Sequence, residues 1–179
     1  MDPTVPEAIA DPATKGLKDT LWIVDLNRQS LDRVVPGIRI EQLKQQFDAA
    51  GWHVVEVKYG HRLHSVAGGD AIRAWIDQMP NERYQSMFGL EGDALRSHFL
   101  DGAPVAVRNA IGNVSDEDLA PLVQDLGGHD LGSMLEAYAL ADAVHDRPSV
   151  IFAYTVKGWG LPIAGNPRNH SALLSTTQV

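Results

Sequence analysis

Three short apolar runs rich in β-branched and aromatic residues constrain this chain more than any other feature: LWIVDL at 21–26, WHVVEV at 52–57 and SVIFAYT at 149–155. The first is nearly continuous instead of alternating, the pattern of a strand covered on both faces, the last is another buried-strand run, and the second returns to the same strand chemistry. Between the first two, Ile40, Leu43 and Phe47 recur at i, i+3 and i+7 among Glu, Gln and Lys, and Gly51 follows as a stop. That spacing predicts an amphipathic helix, so residues 21–57 read as one βαβ unit with a right-handed crossover. Further helices are expected over Asp70–Met79, ended by Pro80, and over Gly92–Leu100. A capping box at Ser115–Asp118 opens another, with a stop at Gly127-Gly128, and Asp130 caps a last one carrying Leu131, Leu135, Tyr138 and Ala139 to about Val144. Strands separated by helices predict an α/β fold: an open, mostly parallel sheet with helices on both faces. The expected organisation is a single domain over 1–179, with an irregular, proline-bearing segment at 1–20 holding a short helix around Pro6–Ala10, and a loop-rich tail at 156–179.

At 44% hydrophobic, 179 residues suffice for one core. The absence of cysteine removes disulfides, thiolate metal sites and cysteine nucleophiles from consideration. A formal charge of -8 opposes wrapping a polyanion, so nucleic acid is not an expected partner. No apolar run approaches the roughly 20 residues of a membrane span, and MDPTVPEAIADP has neither the basic region nor the apolar stretch of a signal peptide. The expected setting is therefore cytoplasmic, away from membranes. The chain holds no G-x-x-x-x-G-K-[ST], no G-x-G-x-x-G after a strand and no G-x-S-x-G, which sets aside P-loop, dinucleotide-binding and α/β-hydrolase chemistry.

In open parallel sheets ligands sit beyond the carboxyl ends of the strands, which directs attention to the loops after residues 26, 57 and 155. In the first loop Asp25, Asn27 and Gln29 alternate, so in extended geometry their side chains share one side; their oxygens, and nearby carbonyls, suit a hard cation such as magnesium. The same residues would equally serve as turn and cap residues. In the last loop Lys157 precedes Gly158-Trp159-Gly160: the glycines allow close backbone approach and the lysine offers one cation to a carboxylate or phosphate, although a simple turn with a solvated lysine has the same sequence. His170, in a polar loop, and His129, at a helix start, could both do acid–base work. His61 and His64 have a metal-like i, i+3 spacing without further ligands nearby, and His53, His98 and His145 read as surface or helix-face residues.

Taken in order, WIVDLNRQSLDR, GWHVVEVKYG, LGGHD and IFAYTVKGWGLPIAG followed by Asn169-His170 resemble consecutive blocks of the homodimeric pyruvate dehydrogenase decarboxylating subunit, a transketolase-like enzyme, across residues 20–175. The resemblance implies thiamine diphosphate and magnesium as cofactors. It places Asn27 and, through its backbone carbonyl, Gln29 at the metal, and Lys157 beside the active centre. It matches His170 to a histidine on a mobile loop that helps the acyl group move to the lipoyl partner. Asp25 stands where the family often has asparagine, which favours a role toward the metal or in orienting the loop. The implied reaction is oxidative decarboxylation of a 2-oxo acid, pyruvate, with acyl transfer to a lipoyl-bearing acyltransferase, in a homo-oligomer.

The family's Gly-Asp-Gly-like metal motif would fall before Met1, and its second domain, with the glutamate that protonates the cofactor, has no counterpart. The chain therefore reads as part of the diphosphate-binding domain, inactive alone. A transketolase-like fragment and a non-catalytic standalone α/β module are the alternatives; SLDR after Gln29 and the Gly-Trp-Gly turn favour the dehydrogenase.

Overall fold

The computed structural model describes residues 4–27, 29–30, 33–34, 38–166, 168–169, 171 and 173–177. In chain order these form α1 (Thr4–Thr14), β1 (Leu21–Leu26), the short pair β2 (Gln29–Ser30) and β3 (Arg33–Val34), α2 (Ile38–Ala49) and β4 (His53–Val57). Six helices follow: α3 (His61–Ser65), α4 (Gly69–Gln78), α5 (Asn81–Ser86), α6 (Gly92–Leu100), α7 (Val105–Ile111) and α8 (Asp116–Val123). The chain then returns through α9 (Leu131–Asp142) to β5 (Ser149–Tyr154). No helix among these residues is long and apolar enough to cross a membrane.

The α/β reading holds: β1, β5 and β4 make an open parallel sheet. The βαβ unit is split, however, because β5 lies between β1 and β4, and both pair with it instead of with each other. Of the three runs, β5 alone is buried at every position, as a central strand must be. One face carries Trp22, Val24, Leu26, Val150, Phe152 and Tyr154 into the main core, where Phe47 of α2 meets Trp22, Trp52 and Phe152 with ring centroids 5.1–5.7 Å apart. Edge-to-face pairing of this kind adds to the burial term. On the other face Val55, Val57 and Ile151 pack under Ala137 and Ala141 of α9. Beside α9 this second face is uncovered at β1: Ile23 is 49% exposed, and Leu131 and Leu135 of α9 are 73% and 57% exposed.

The N-terminal helix runs from Thr4 to Thr14, longer than the Pro6–Ala10 expectation. Buried Ile9 accepts the Trp52 indole N–H at its carbonyl, 2.7 Å away, so tertiary contacts extend what local sequence signals only weakly. The Ser115 cap is present, its hydroxyl accepting the Asp118 N–H at 3.1 Å, but α8 stops at Val123, before the glycine pair. Helices α3, α5 and α7 escape the periodicity argument because five to seven residues hold too few apolar positions to show a period.

Residues 60–125 form a helical excursion between β4 and α9, and its two ends are tied together. Tyr59 bridges Leu126, the Gly60 N–H donates to the Asp125 carbonyl at 3.0 Å, and the Leu63 N–H donates to the Asp125 carboxylate at 3.0 Å. His61 closes the neck. Its Nδ1 meets Asp130 Oδ2, its Nε2 meets Glu136 Oε1 at 3.1 Å, and Asp130 also caps α9 by accepting the Ser133 N–H at 3.2 Å. His61 is thus an ion-pair clamp, and no group of three or more His, Cys, Asp or Glu able to hold a metal occurs among the described residues. The Asp130 and Glu136 carboxylates raise the His61 pKa; burial alone would raise Asp130, but donors from Ser133 and His61 hold it below the usual carboxylate range. A histidine raised on folding contributes stability that is complete below about pH 6.5, its unfolded value, and fades as pH climbs through the folded value. By NMR we expect His61 to titrate above its ordinary value of about 6.5. We also expect the amides of 61–63 and 131–133 to be better protected below that range than well above it, after correction for intrinsic exchange, and His61→Ala to abolish the difference. A His61 midpoint at or below the ordinary value contradicts the clamp.

Candidate functional site

The parallel register pairs Leu26 with Tyr154, so the residues that leave β1 and β5 emerge side by side at the carboxyl end of the sheet. The Thr155 N–H donates to the Leu26 carbonyl at 3.2 Å, carrying the ladder one step past β5. Asn27 and the Lys157 turn are therefore brought to one rim, as the sequence requires of residues acting together. Asp25 lies at the same rim: the Thr155 hydroxyl donates to its Oδ1, and the Asn27 side-chain amide donates to its Oδ2 at 3.3 Å. Both donors are neutral, so they orient the carboxylate without cancelling its charge. The Asn27 amide is thus held against Asp25 through its nitrogen, and its oxygen is the atom of that side chain able to ligate a hard cation.

Gln29 begins β2, paired antiparallel with Val34 of β3. This hairpin follows the rim directly and places the Gln29 backbone two residues beyond Asn27. Lys157 lies in a turn closed on itself: its carbonyl accepts the Gly165 N–H at 3.0 Å and the Asn169 side-chain amide at 2.7 Å. His170 lies outside the described residues, as do Arg28, Leu31 and Asp32 of the first loop.

The LGGHD segment crosses the ends of β4 and β5. Contact there is close enough to require glycine, since a Cβ on Gly128 would come within 2.6 Å of the Tyr154 carbonyl oxygen. This passage delivers His129 to the rim. Its Nε2 accepts the Val156 N–H at 2.9 Å, and its ring stacks on Trp159 with centroids 4.6 Å apart and planes inclined by 11°. An accepting Nε2 puts the proton of the neutral ring on Nδ1. Burial lowers the His129 pKa against the pull of Asp25, which favours that neutral form. A cleft of about 340 Å³ opens below the stack, lined by residues including Arg62, Asp125, His129, Asp130 and Trp159. The larger cleft, about 520 Å³, runs along β4 against α9 and is lined by none of Asp25, Asn27, Gln29 or Lys157, so chemistry rather than volume identifies the rim as the candidate site.

The donor set suits magnesium in kind, with one carboxylate, one amide oxygen and backbone carbonyls, all hard oxygen ligands. It supplies part of a shell. Sequence reading singled out His129 as an acid–base candidate at a helix start but missed two contributors: Thr155 was legible only as the last residue of a strand, and buried Gln85 sits in a short polar helix, its Nε2 donating to the Asn27 carbonyl at 3.2 Å.

The chain matches no family model. It is 33% identical over 158 residues to the pyruvate dehydrogenase E1 component of Corynebacterium glutamicum, covering 86% of this chain and 17% of that protein. To the protein of the same name from Mycobacterium tuberculosis it is 32% identical over 154 residues, 83% of this chain and 16% of the relative. To that of Escherichia coli K12 it is 29% identical over 174 residues, 94% and 19%. The chain thus spans less than a fifth of the length of these relatives, and over nearly all of its own length it is homologous to one segment of the pyruvate dehydrogenase E1 component.

Proposed function

We propose that this chain forms the part of a thiamine-diphosphate-dependent pyruvate dehydrogenase that presents the second half of the metal–diphosphate site. The observation that supports the reading is the meeting of Asp25, Asn27 and the Lys157 turn at one carboxyl rim, through the parallel pairing of β1 and β5. Asn27, through its amide oxygen, and Gln29, through its backbone carbonyl, would hold magnesium. Asp25 orients the Asn27 amide and adds negative charge beside the cation. Lys157 offers a positive charge to an anionic group, the substrate carboxylate or the cofactor diphosphate. His170 is the proposed proton-handling residue during acyl transfer.

When bound, thiamine diphosphate supplies the electron sink for decarboxylating a 2-oxo acid, and the chain's own residues position it and manage charge around it. The intact enzyme passes the acyl group to a lipoyl-bearing acyltransferase, in a cytoplasmic setting. These 179 residues contain no Gly-Asp-Gly-like stretch ahead of Asn27, so the principal carboxylate ligand of the metal comes from elsewhere in the intact enzyme, and the chain alone is inactive.

Calorimetry on the purified chain should therefore find only weak binding of thiamine diphosphate with magnesium, in the millimolar range, about 4 kcal/mol. Tight, magnesium-dependent binding contradicts this division of the metal shell. The exposed apolar side chains of Leu21, Ile23, Leu131 and Leu135 support the further expectation of a homo-oligomer, since exposed apolar surface favours association. Light scattering should show a mass that rises with concentration; a strict monomer throughout contradicts it.

A further inference from the structure

Gln85 and Ser149 are the two buried polar side chains among the described residues. A buried amide is retained where its hydrogen bonds are specific, because burying it without partners is unfavourable. Gln85 donates from Nε2 to the Asn27 backbone carbonyl at 3.2 Å, and since a carbonyl only accepts, the partner settles which end of the amide faces it. The position of that carbonyl gives the contact its meaning. The β1–β5 ladder reaches Leu26, which accepts the Thr155 N–H; the Asn27 carbonyl belongs to the first residue past β1, and Gln85 holds it there.

The same residue touches the other loop. The Gln85 carbonyl lies where a Cβ on Gly165 would come within 2.8 Å of it, and Gly165 is the residue whose N–H closes the Lys157 turn; its φ of 69° also favours glycine. One residue of α5 thus abuts both loops of the rim, its side chain on Asn27 and its main chain against Gly165. Helix α5 is itself held firmly: the Tyr84 hydroxyl donates to the Val123 carbonyl at 3.0 Å, and the Gln124 side chain donates to the Met87 carbonyl at 2.9 Å.

We infer that Gln85 is the positioning residue of the metal–diphosphate rim, and that the helical excursion over 60–125 serves the site through it by fixing the spacing between Asn27 and the Lys157 turn. The inference rests on the reading of Asn27 as a metal-binding residue. Outer groups that orient a ligand typically change metal affinity by about 10–100-fold when removed.

The test uses Gln85→Met, which keeps length and apolar packing but removes the donor, and Gln85→Glu, whose carboxyl donates only while protonated. In carbonyl-detected NMR the Asn27 carbonyl carbon should move upfield in Gln85→Met, while the shifts of 150–152 in β5 stay in place. In Gln85→Glu it should return toward the wild-type position as the pH falls, a titration that a merely space-filling role would not produce. If Gln85→Met fails to fold, the Gln85→Glu titration carries the test. Water-proton relaxation with manganese and thiamine diphosphate, which reads weak binding, should show affinity reduced about tenfold in Gln85→Met. An unmoved Asn27 carbonyl in both variants, or equal affinity where the wild type binds, overturns the inference. A wild type that binds no manganese–thiamine diphosphate instead overturns the reading of the rim as a metal–diphosphate site, and the carbonyl shifts then decide alone whether Gln85 positions Asn27.

Discussion

The pairing of β1 with β5 in parallel, carried past the strand ends by the Thr155 N–H on the Leu26 carbonyl, is the interaction on which the site depends. Because both strands run the same way, their exits coincide, and residues 130 positions apart in sequence become hydrogen-bonding neighbours, as Asp25 and Thr155 do. An antiparallel pairing of the same two strands would send Asn27 and Lys157 to opposite ends. The long connection between the strands, which carries α2, β4 and the helical excursion, is what a parallel pairing requires, and here part of that connection returns to brace the rim.

Bracing matters because the rim's loops have little of their own to hold them. Asp25 is fixed by two neutral donors, Asn27 by the Gln85 amide, and the Lys157 turn by Gly165 and Asn169. The LGGHD segment shows the same economy. Its glycines let it lie on the strand ends, His129 stacks on Trp159 and receives the Val156 N–H, and the next residue, Asp130, caps α9 and binds His61. One short segment therefore fixes a histidine at the rim and ties the neck of the excursion to the helix that covers the second face of the sheet.

Much of this was legible in the sequence. The three strands and the capping roles of Ser115 and Asp130 follow from patterns within a few residues, where side-chain period and cap chemistry act. Strand order was not, since burial from both sides is a property of the assembled sheet, although SVIFAYT, free of charge and histidine where the other two runs carry Asp25, His53 and Glu56, already has the composition of a central strand. The helices α3, α5 and α7 were hidden by their brevity. For the site, Asn27 and Lys157 stood out as polar residues just past strand ends. Gln85 and Thr155 did not, because each acts through a partner 58 to 130 positions away, and no local pattern encodes such distances; His129 stood out at its helix start, but its partner Val156 did not.

The claim that the exits of β1 and β5 share one rim can be read directly from the hydrogen bond that extends their ladder. Scalar coupling across that bond, detected in a long-range carbonyl–nitrogen NMR experiment, should correlate the Thr155 amide nitrogen with the Leu26 carbonyl carbon. A Thr155 amide coupled instead to a carbonyl near the start of β1, or β1 carbonyls correlating with β5 amides in antiparallel order, would contradict the arrangement and separate Asn27 from Lys157.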